Sequence, residues 1–427
     1  MSSIFDKLPK YTKGKASPYI YNVGCGTEDD LSGPTDKDCY AMLICDTDAD
    51  EYREYISALT ESGFNVIFRN SIADNLYTQL SGNGTMLYVY YTASKGQVRI
   101  ISDPCSVPVD RFGYTCEGSK GEIYQYALHY DPSNGHSPTT TNCGMLFIVR
   151  LADNSLYMYD SGDLMQCSDR ALEGMMSFMR RITNTSSGQK IRIAAWHFSH
   201  AHNDHFAACA KMINRHHDEL IIERLMFNFP SSSARRPDSQ TGKLKEILNK
   251  YCSDAMFLKL HSGQKFSLAN AEFEVLYTHE DALKADDPSA FPLRDYNCTS
   301  SILKMTMDSG SVMWLGDTNT EAEAIIADVF PAQIWRSDVV QVAHHCFNYL
   351  SCLYPMIKAP YAMLPNSYFG GHTPENLPKL AQVLCHLSSP ESISYSDVTS
   401  GFRFVEGKYI KFLEEPSTGT EYDFSGY

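Results

Sequence analysis

Apolar and polar positions divide the chain into segments before any chemistry is considered. The first twenty or so residues are mixed and polar and are expected to form a surface arm. Residues 40–48 (YAMLICDTD) open with an apolar run that predicts a buried strand, 49–63 predict a helix stopped by Gly63, and 64–70 predict a second strand. Residues 85–93 and 96–104 read as two strands joined by a Ser-Lys-Gly turn, which suggests a hairpin. A small α+β unit ending near Asp103 is the result.

From Pro104 to Gly121 the chain carries two prolines and three glycines, which marks a boundary and divides it into domains of 1–115 and 116–427. Residues 122–131 and 143–163 then predict strands separated by turns, and 171–182 predict a helix. The strand 190–200 (KIRIAAWHFSH) ends in polar residues, and 207–217 predict an amphipathic helix. Further segments lie at 223–229, 243–251, 271–279, 300–308, 311–317, 321–330, 337–345, 361–367 and 375–387. Hairpins mixed with βα units suggest two sheets packed face to face with helices outside, an α+β class in which strand ends supply the chemistry.

Composition narrows the function without naming it. Of 427 residues 43% are apolar and 20% charged, with 27 Tyr and 21 Phe, as expected of a packed globular chain. No run of eighteen apolar residues suggests a membrane span, and residues 1–22 lack the pattern of a secretory signal, so a cytoplasmic location is the expectation. The formal charge of −15 disfavours sequence-independent attraction to nucleic acid, and the one conspicuous basic pair is Arg235-Arg236. Thirteen scattered cysteines without a C-x-x-C pair argue against disulfide scaffolding and a Cys-only zinc site. No phosphate-cradling Gly-rich motif calls for a nucleotide cofactor.

The strongest local signal is Ser199-His200-Ala201-His202-Asn203-Asp204-His205, at the end of a strand and the start of a helix. Three imidazoles and a carboxylate within six residues are donors of the kind zinc prefers. In an extended segment His200 and His202 share a face, while a turn into helix carries Asp204 and His205 toward a second point. One short segment can thus serve two neighbouring ions. His197, three positions earlier on an apolar strand, is expected to be a satisfied buried histidine. His216 and His217, at a helix C-terminus, are expected to be structural surface residues. Of Asp46, Asp48 and Asp50, one is expected to cap the following helix.

This pattern after a strand resembles the signature of the metallo-β-lactamase superfamily of hydrolases. Three further stretches follow in the family's order: Asp160 and Gly162 in MYDSGD, Gly316-Asp317 ending SVMWLGD, and His344-His345 ending VVQVAHH. The resemblance covers roughly Glu122 to Tyr427, about seven-tenths of the chain. The stretch Asn297–Ser301 before a strand, and a later segment with Asn366 and His372, lean toward the soluble domain of competence proteins for DNA uptake and related phosphodiesterases. Cys346 stands where that branch has a Gly, and residues 40–103 match nothing in it.

The resemblance implies a four-layer αβ/βα sandwich beside the small N-terminal domain, and two divalent metal ions, zinc first, with manganese or iron as alternatives. His200 and His202 would bind one ion, Asp204 and His205 the other, Asp317 would bridge, and His344 would complete the second. His345 is the alternative to His344, since period-two alternation lets only one face the site. His279 lies about where many members place a further ligand of the first ion, without their Pro-Gly-His turn. Asp204 would also orient the nucleophile, and His372, after Gly370-Gly371, would contact a phosphoryl oxygen or protonate a leaving group.

Two ions roughly 3.5–4 Å apart would make a hydroxide available at neutral pH and clamp both oxygens of a displacement. A phosphodiester, small or immobilised given the acidic charge, is the expected substrate. Hydrolysis of a carboxylic ester, thioester or lactone, or a binding protein without catalysis, are the alternatives. Diiron flavoproteins share the superfamily fold but carry Glu where His202 stands here.

Overall fold

The computed structural model describes residues 4–24, 39–104, 106–128, 145–230 and 241–415; Arg235-Arg236 lies outside them. Among the described residues three sheets form. The N-terminal one is antiparallel, in the order Lys15–Ala16, Tyr40–Cys45, Gln97–Ser102, Thr85–Thr92, Asn75–Gly82 and Asn65–Ile72, with Tyr21–Asn22 also on Tyr40–Cys45. The helix Ala49–Glu61 packs Tyr52, Tyr55, Ile56 and Leu59 on one of its faces. Asp48 caps that helix, accepting the Asp50 and Glu51 amides at 2.9 Å each, as expected of one residue of the acidic trio.

Two features of this unit differ from expectation. The opening residues are not a surface arm: Phe5 and Leu8 are buried under the helix, and two short strands pair with Tyr40–Cys45. The strand Asn75–Gly82 had no apolar pattern to reveal it, because it buries polar side chains with partners. Asn75 donates to Val329 O and accepts from Ala93 N, Thr78 meets the Tyr52 hydroxyl, and Gln79 accepts from Val109 N. Satisfied polar groups can occupy a core without the desolvation cost of unpaired ones.

The remainder is a four-layer αβ/βα sandwich, as expected. One sheet runs Met256–Lys259, Arg224–Phe227, Ile191–His197, Leu156–Asp160, Leu146–Arg150, Glu122–Gln125, Thr399–Val405 and Lys408–Glu415, with Leu220–Ile222 beside Ile191–His197. The other runs Lys265–Leu268, Ala271–Tyr277, Ile302–Met307, Gly310–Trp314, Val339–Gln341, Tyr361–Leu364 and Ile393–Tyr395. Phe147, Tyr159, Phe273, Met305 and Trp314 fill the core between the sheets. The helices Asp169–Thr183, Asn203–His216 and Thr241–Tyr251 cover the first sheet. Thr320–Ile326, Leu353–Ile357 and Leu377–Leu384 cover the second, where they share a core with Tyr77, Tyr88 and Tyr90 of the N-terminal sheet.

The hairpin Thr399–Val405 and Lys408–Glu415 was not foreseen, and it completes the first sheet by pairing with Glu122–Gln125. Parallel strands dominate the middle of each sheet: Leu156–Asp160 runs parallel to Ile191–His197, and Gly310–Trp314 to Val339–Gln341. Their C-terminal ends place Asp160, His200, Asp317 and His345 at one edge of the sandwich. No described helix is long and apolar enough to cross a membrane.

Candidate metal centre

The strand Ile191–His197 is buried at six of its seven positions and delivers the chain to Ser199 and His200 in the interior. His202 then occupies the N-cap of the helix Asn203–His216 without capping it. Its ring turns instead to His200, with His202 Nδ1 3.0 Å from His200 Nε2. A cap is ordinarily worth about 1 kcal/mol, so this helix start is tuned to the site rather than to helix stability. Asp204 and His205 follow in the first turn.

Two donor groups form among the described residues, and both contain Asp317. One joins His200, His202 and Asp317; the other joins Asp204, His205, Asp317 and His345. Asp317 Oδ2 lies 3.1 Å from His205 Nε2, 3.6 Å from His345 Nε2 and 3.9 Å from His200 Nε2. Asp204 Oδ2 is 3.4 Å from His345 Nε2 and 3.8 Å from His205 Nε2.

In the two histidines of the second group one ring nitrogen is fixed and the other is not. His205 Nδ1 meets Asp160 Oδ2 at 2.8 Å, and His345 Nδ1 donates to Pro365 O at 2.8 Å. The opposite nitrogens, His205 Nε2 and His345 Nε2, are buried without a hydrogen-bond partner, as is Asp317 Oδ1. Buried polar atoms are seldom left so, and three together on converging donors fit a cation held at this point.

Electrostatics favour the same conclusion. Burial holds His200 well below the usual imidazole range, so its ring is a neutral donor. Burial also opposes charge on Asp204, but His205 and His345 beside it reverse the effect and hold the carboxyl far down. His205 and His345 are raised against their burial, chiefly by Asp317 with help from Asp204. The pocket is therefore built to attract positive charge.

The outer supports are equally specific. Asp160, with φ 58°, accepts Ser199 N at 2.7 Å and Ser199 Oγ at 2.8 Å besides meeting His205. Gln341, fully buried, accepts the Leu315 and Gly316 amides at 2.8 and 2.7 Å and donates to Gly316 O, locking the turn that carries Asp317. Gly316 has φ 54°, and a Cβ there would come within 2.9 Å of Ser300. Gln341 was not singled out from the sequence, although a lone amide inside the apolar run VVQVA is a signal of this kind.

Several expectations change in the structure. His345, the alternative, joins the second group, and His344 joins neither. His344 Nε2 is 3.8 Å from Asp317, but its ring lies between Asn297 Nδ2 at 3.3 Å and Asn348 Nδ2 at 2.6 Å. Strand alternation does not decide between them, because the strand ends at Gln341 and His344, His345 and Cys346 all have positive φ. His279 is in neither group; its Nε2 bonds Asn228 Oδ1 at 2.9 Å, and burial lowers its pKa to about 4.

His372 is in neither group as well. Its Nδ1 meets Tyr368 O at 2.8 Å, and its ring stacks on Tyr368. His197 is satisfied, as expected, between the Tyr157 and Ser301 hydroxyls. His216 is buried against Glu219 rather than on the surface.

No family model matches the chain, and a search of curated proteins finds no match. Solved structures do show similarity. A metallo-β-lactamase fold protein, YhfI from Bacillus subtilis, is 12% identical over 66% of this chain and 99% of its own, at a TM-score of 0.37. CmlA, a diiron β-hydroxylase from Streptomyces venezuelae, is 13% identical over 64% of this chain and 44% of its own, at 0.30. Zinc-bound PqqB from Methylobacterium extorquens is 8% identical over 52% and 71%, at 0.32.

Proposed function

We propose that this chain is a metal-dependent hydrolase of the metallo-β-lactamase type that holds two divalent ions, zinc first, and acts on a phosphodiester. The observation that carries the reading is Asp317, a buried carboxylate shared by two donor groups, in the second of which His205 and His345 each leave an unpaired Nε2. His200, His202 and Asp317 would hold one ion, and Asp204, His205, His345 and Asp317 the other. Bound divalent ions supply Lewis acidity, lowering the pKa of a water from 15.7 to about 7 and neutralising charge on a phosphoryl oxygen.

The protein's own groups do the positioning. Asp160 and Pro365 O set the tautomers of His205 and His345, which keeps Nε2 of each available as a donor. Gln341 holds the Gly316-Asp317 turn, so the carboxylate common to both donor groups would not need to reorganise. Asp204 orients the attacking water. His372, tethered through Nδ1, delivers a proton to the leaving group.

Elemental analysis of the purified chain, beside an assay with bis-p-nitrophenyl phosphate, tests this. About two metals per chain with metal-dependent turnover of the diester supports the proposal. Two metals without turnover would transfer it to esters, thioesters or lactones, and no metal under replete conditions would overturn it.

A further inference from the structure

Asn297 belongs to neither donor group, yet its turn is tied to both. It lies in the single turn Tyr296–Thr299. Just beyond it, Ser300 Oγ accepts Asp317 N at 2.9 Å and Ser301 N donates to Ser199 O at 3.0 Å. The Tyr296 ring stands edge-on to His202, with centroids 5.9 Å apart. Asn297 Nδ2 is 3.3 Å from His344 Nε2, which is itself 3.8 Å from Asp317 Oδ2. This is a partly open side of the centre: the His344 side chain is 23% exposed, against 2% for Asp317 and 1% for His345.

His344 is fixed in backbone and in ring. Its φ of 48° is costly for a residue other than glycine and persists only where the surroundings impose it. His344 N donates to Gly316 O at 3.1 Å, which ties it to the turn carrying Asp317. Asn348 Nδ2 approaches the ring at Nδ1 and Asn297 Nδ2 at Nε2. A neutral imidazole has one N–H and one lone pair, so it takes an N–H from one amide and must meet the other at its oxygen. Asn297 Oδ1 is buried without a hydrogen-bond partner. A half-turn of that carboxamide lets Oδ1 accept His344 Nε2–H and puts Nδ2 where the unpartnered oxygen stood. A buried N–H there needs an acceptor, and a phosphoryl oxygen is a strong one because it is charged.

We propose that Asn297 is a substrate-binding residue whose carboxamide N–H donates to a phosphoryl oxygen at the metal centre, and that His344 is the positioning residue that orients this amide. The inference rests on the phosphodiester reading above and extends it. Recognition of the substrate then uses a neutral, directional donor in addition to the charge of the ions.

The test is calorimetric titration with inorganic phosphate at pH 7 of the zinc-loaded chain freed of excess metal, with zinc per chain and unfolding temperature measured for every variant. Asn297→Ala is expected to keep the wild-type zinc content and to bind phosphate about ten-fold more weakly, the scale of a lost hydrogen bond to a charged group. Asn297→Asp, which has the same shape but sets a charge against the anion, should bind more weakly still. His344→Ala should weaken binding with its zinc retained, and the double variant Asn297→Ala/His344→Ala should be no weaker than Asn297→Ala, as a residue acting through another requires. Loss of zinc in Asn297→Ala with retention in Asn297→Asp would make Oδ1 a metal ligand and overturn the proposal. Unchanged phosphate affinity in Asn297→Ala, additive losses in the double variant, or no saturable phosphate binding by zinc-loaded wild type would overturn it too and leave the metal centre standing. A wild-type chain that takes up no zinc would overturn the phosphodiesterase reading and this inference together.

Discussion

Among the described residues two buried clusters join histidines with carboxylates, and of these one has the character of a metal site. In the cluster between the N-terminal sheet and the sandwich, His261 spends both ring nitrogens, Nδ1 on Glu280 at 2.7 Å and Nε2 on Asp103 at 2.9 Å. Lys259 Nζ stands 3.4 Å from Glu280, so two cations balance two carboxylates. At the strand ends, His205 and His345 spend one nitrogen each, and Asp160, Asp204 and Asp317 bring three carboxylates. Histidine and carboxylates occur in both places. What separates them is that both ring nitrogens of His261 are engaged, whereas His205 and His345 each leave one nitrogen converging on a common point.

Predictions that test this contrast run from large effects to small. Asp317→Ala removes the group common to both donor sets. Bound metal should fall from about two per chain to below one, and any diester turnover should drop by about 10³-fold or more, as a loss of ~4 kcal/mol of transition-state stabilisation would give. His345→Ala should cost one ion per chain, while His344→Ala keeps both; equal losses in the two variants would erase the distinction drawn between them.

The closed cluster should answer to unfolding rather than to metal. His261→Ala strands Glu280 and Asp103 and is expected to destabilise by about 3–5 kcal/mol in urea titration, with metal content unchanged. Its pH dependence has a definite sign. Burial depresses His261, but Glu280 and Asp103 outweigh it and raise the pKa from 6.5 to about 9. The stabilisation is therefore complete below about 6.5 and is lost as pH rises through about 9. In chelator-treated protein, the gap in unfolding temperature between wild type and His261→Ala should narrow across that window.

Asp160→Asn keeps shape while changing what His205 Nδ1 faces, and metal affinity should weaken by about 10–100-fold in competition with a chelator dye. The smallest effect belongs to His372→Ala. Its metal content should be unchanged, and kcat should fall about 10-fold for a poor leaving group and less for a nitrophenolate, at the low end of acid–base contributions.

The centre was legible where its residues are adjacent in the chain. His200, His202, Asp204 and His205 need only a strand end and one helical turn to diverge onto two points, and both elements announce themselves in the apolar pattern. His344 and His345 were not separable in this way, because alternation stops at Gln341 and a left-handed turn decides which ring enters. His279 has the right residue type at the right place in the order, but Asn228, fifty-one positions away, engages it. The strand Asn75–Gly82 escaped notice since three of its five buried positions, Asn75, Thr78 and Gln79, are polar and satisfied by Val329, Ala93, Tyr52 and Val109.

By itself the sequence determined the α+β class, the paired sheets and the local segment that could bind metal, because these depend on periodicity and on neighbours within a few residues. The tertiary structure decided which histidine joins Asp317, which clusters are closed, and that Asn297 meets His344. Each of these depends on whether a lone pair or a charge meets a partner distant in sequence. A hydrogen bond requires donor and acceptor about 3 Å apart, and that separation is set only when the sheets pack.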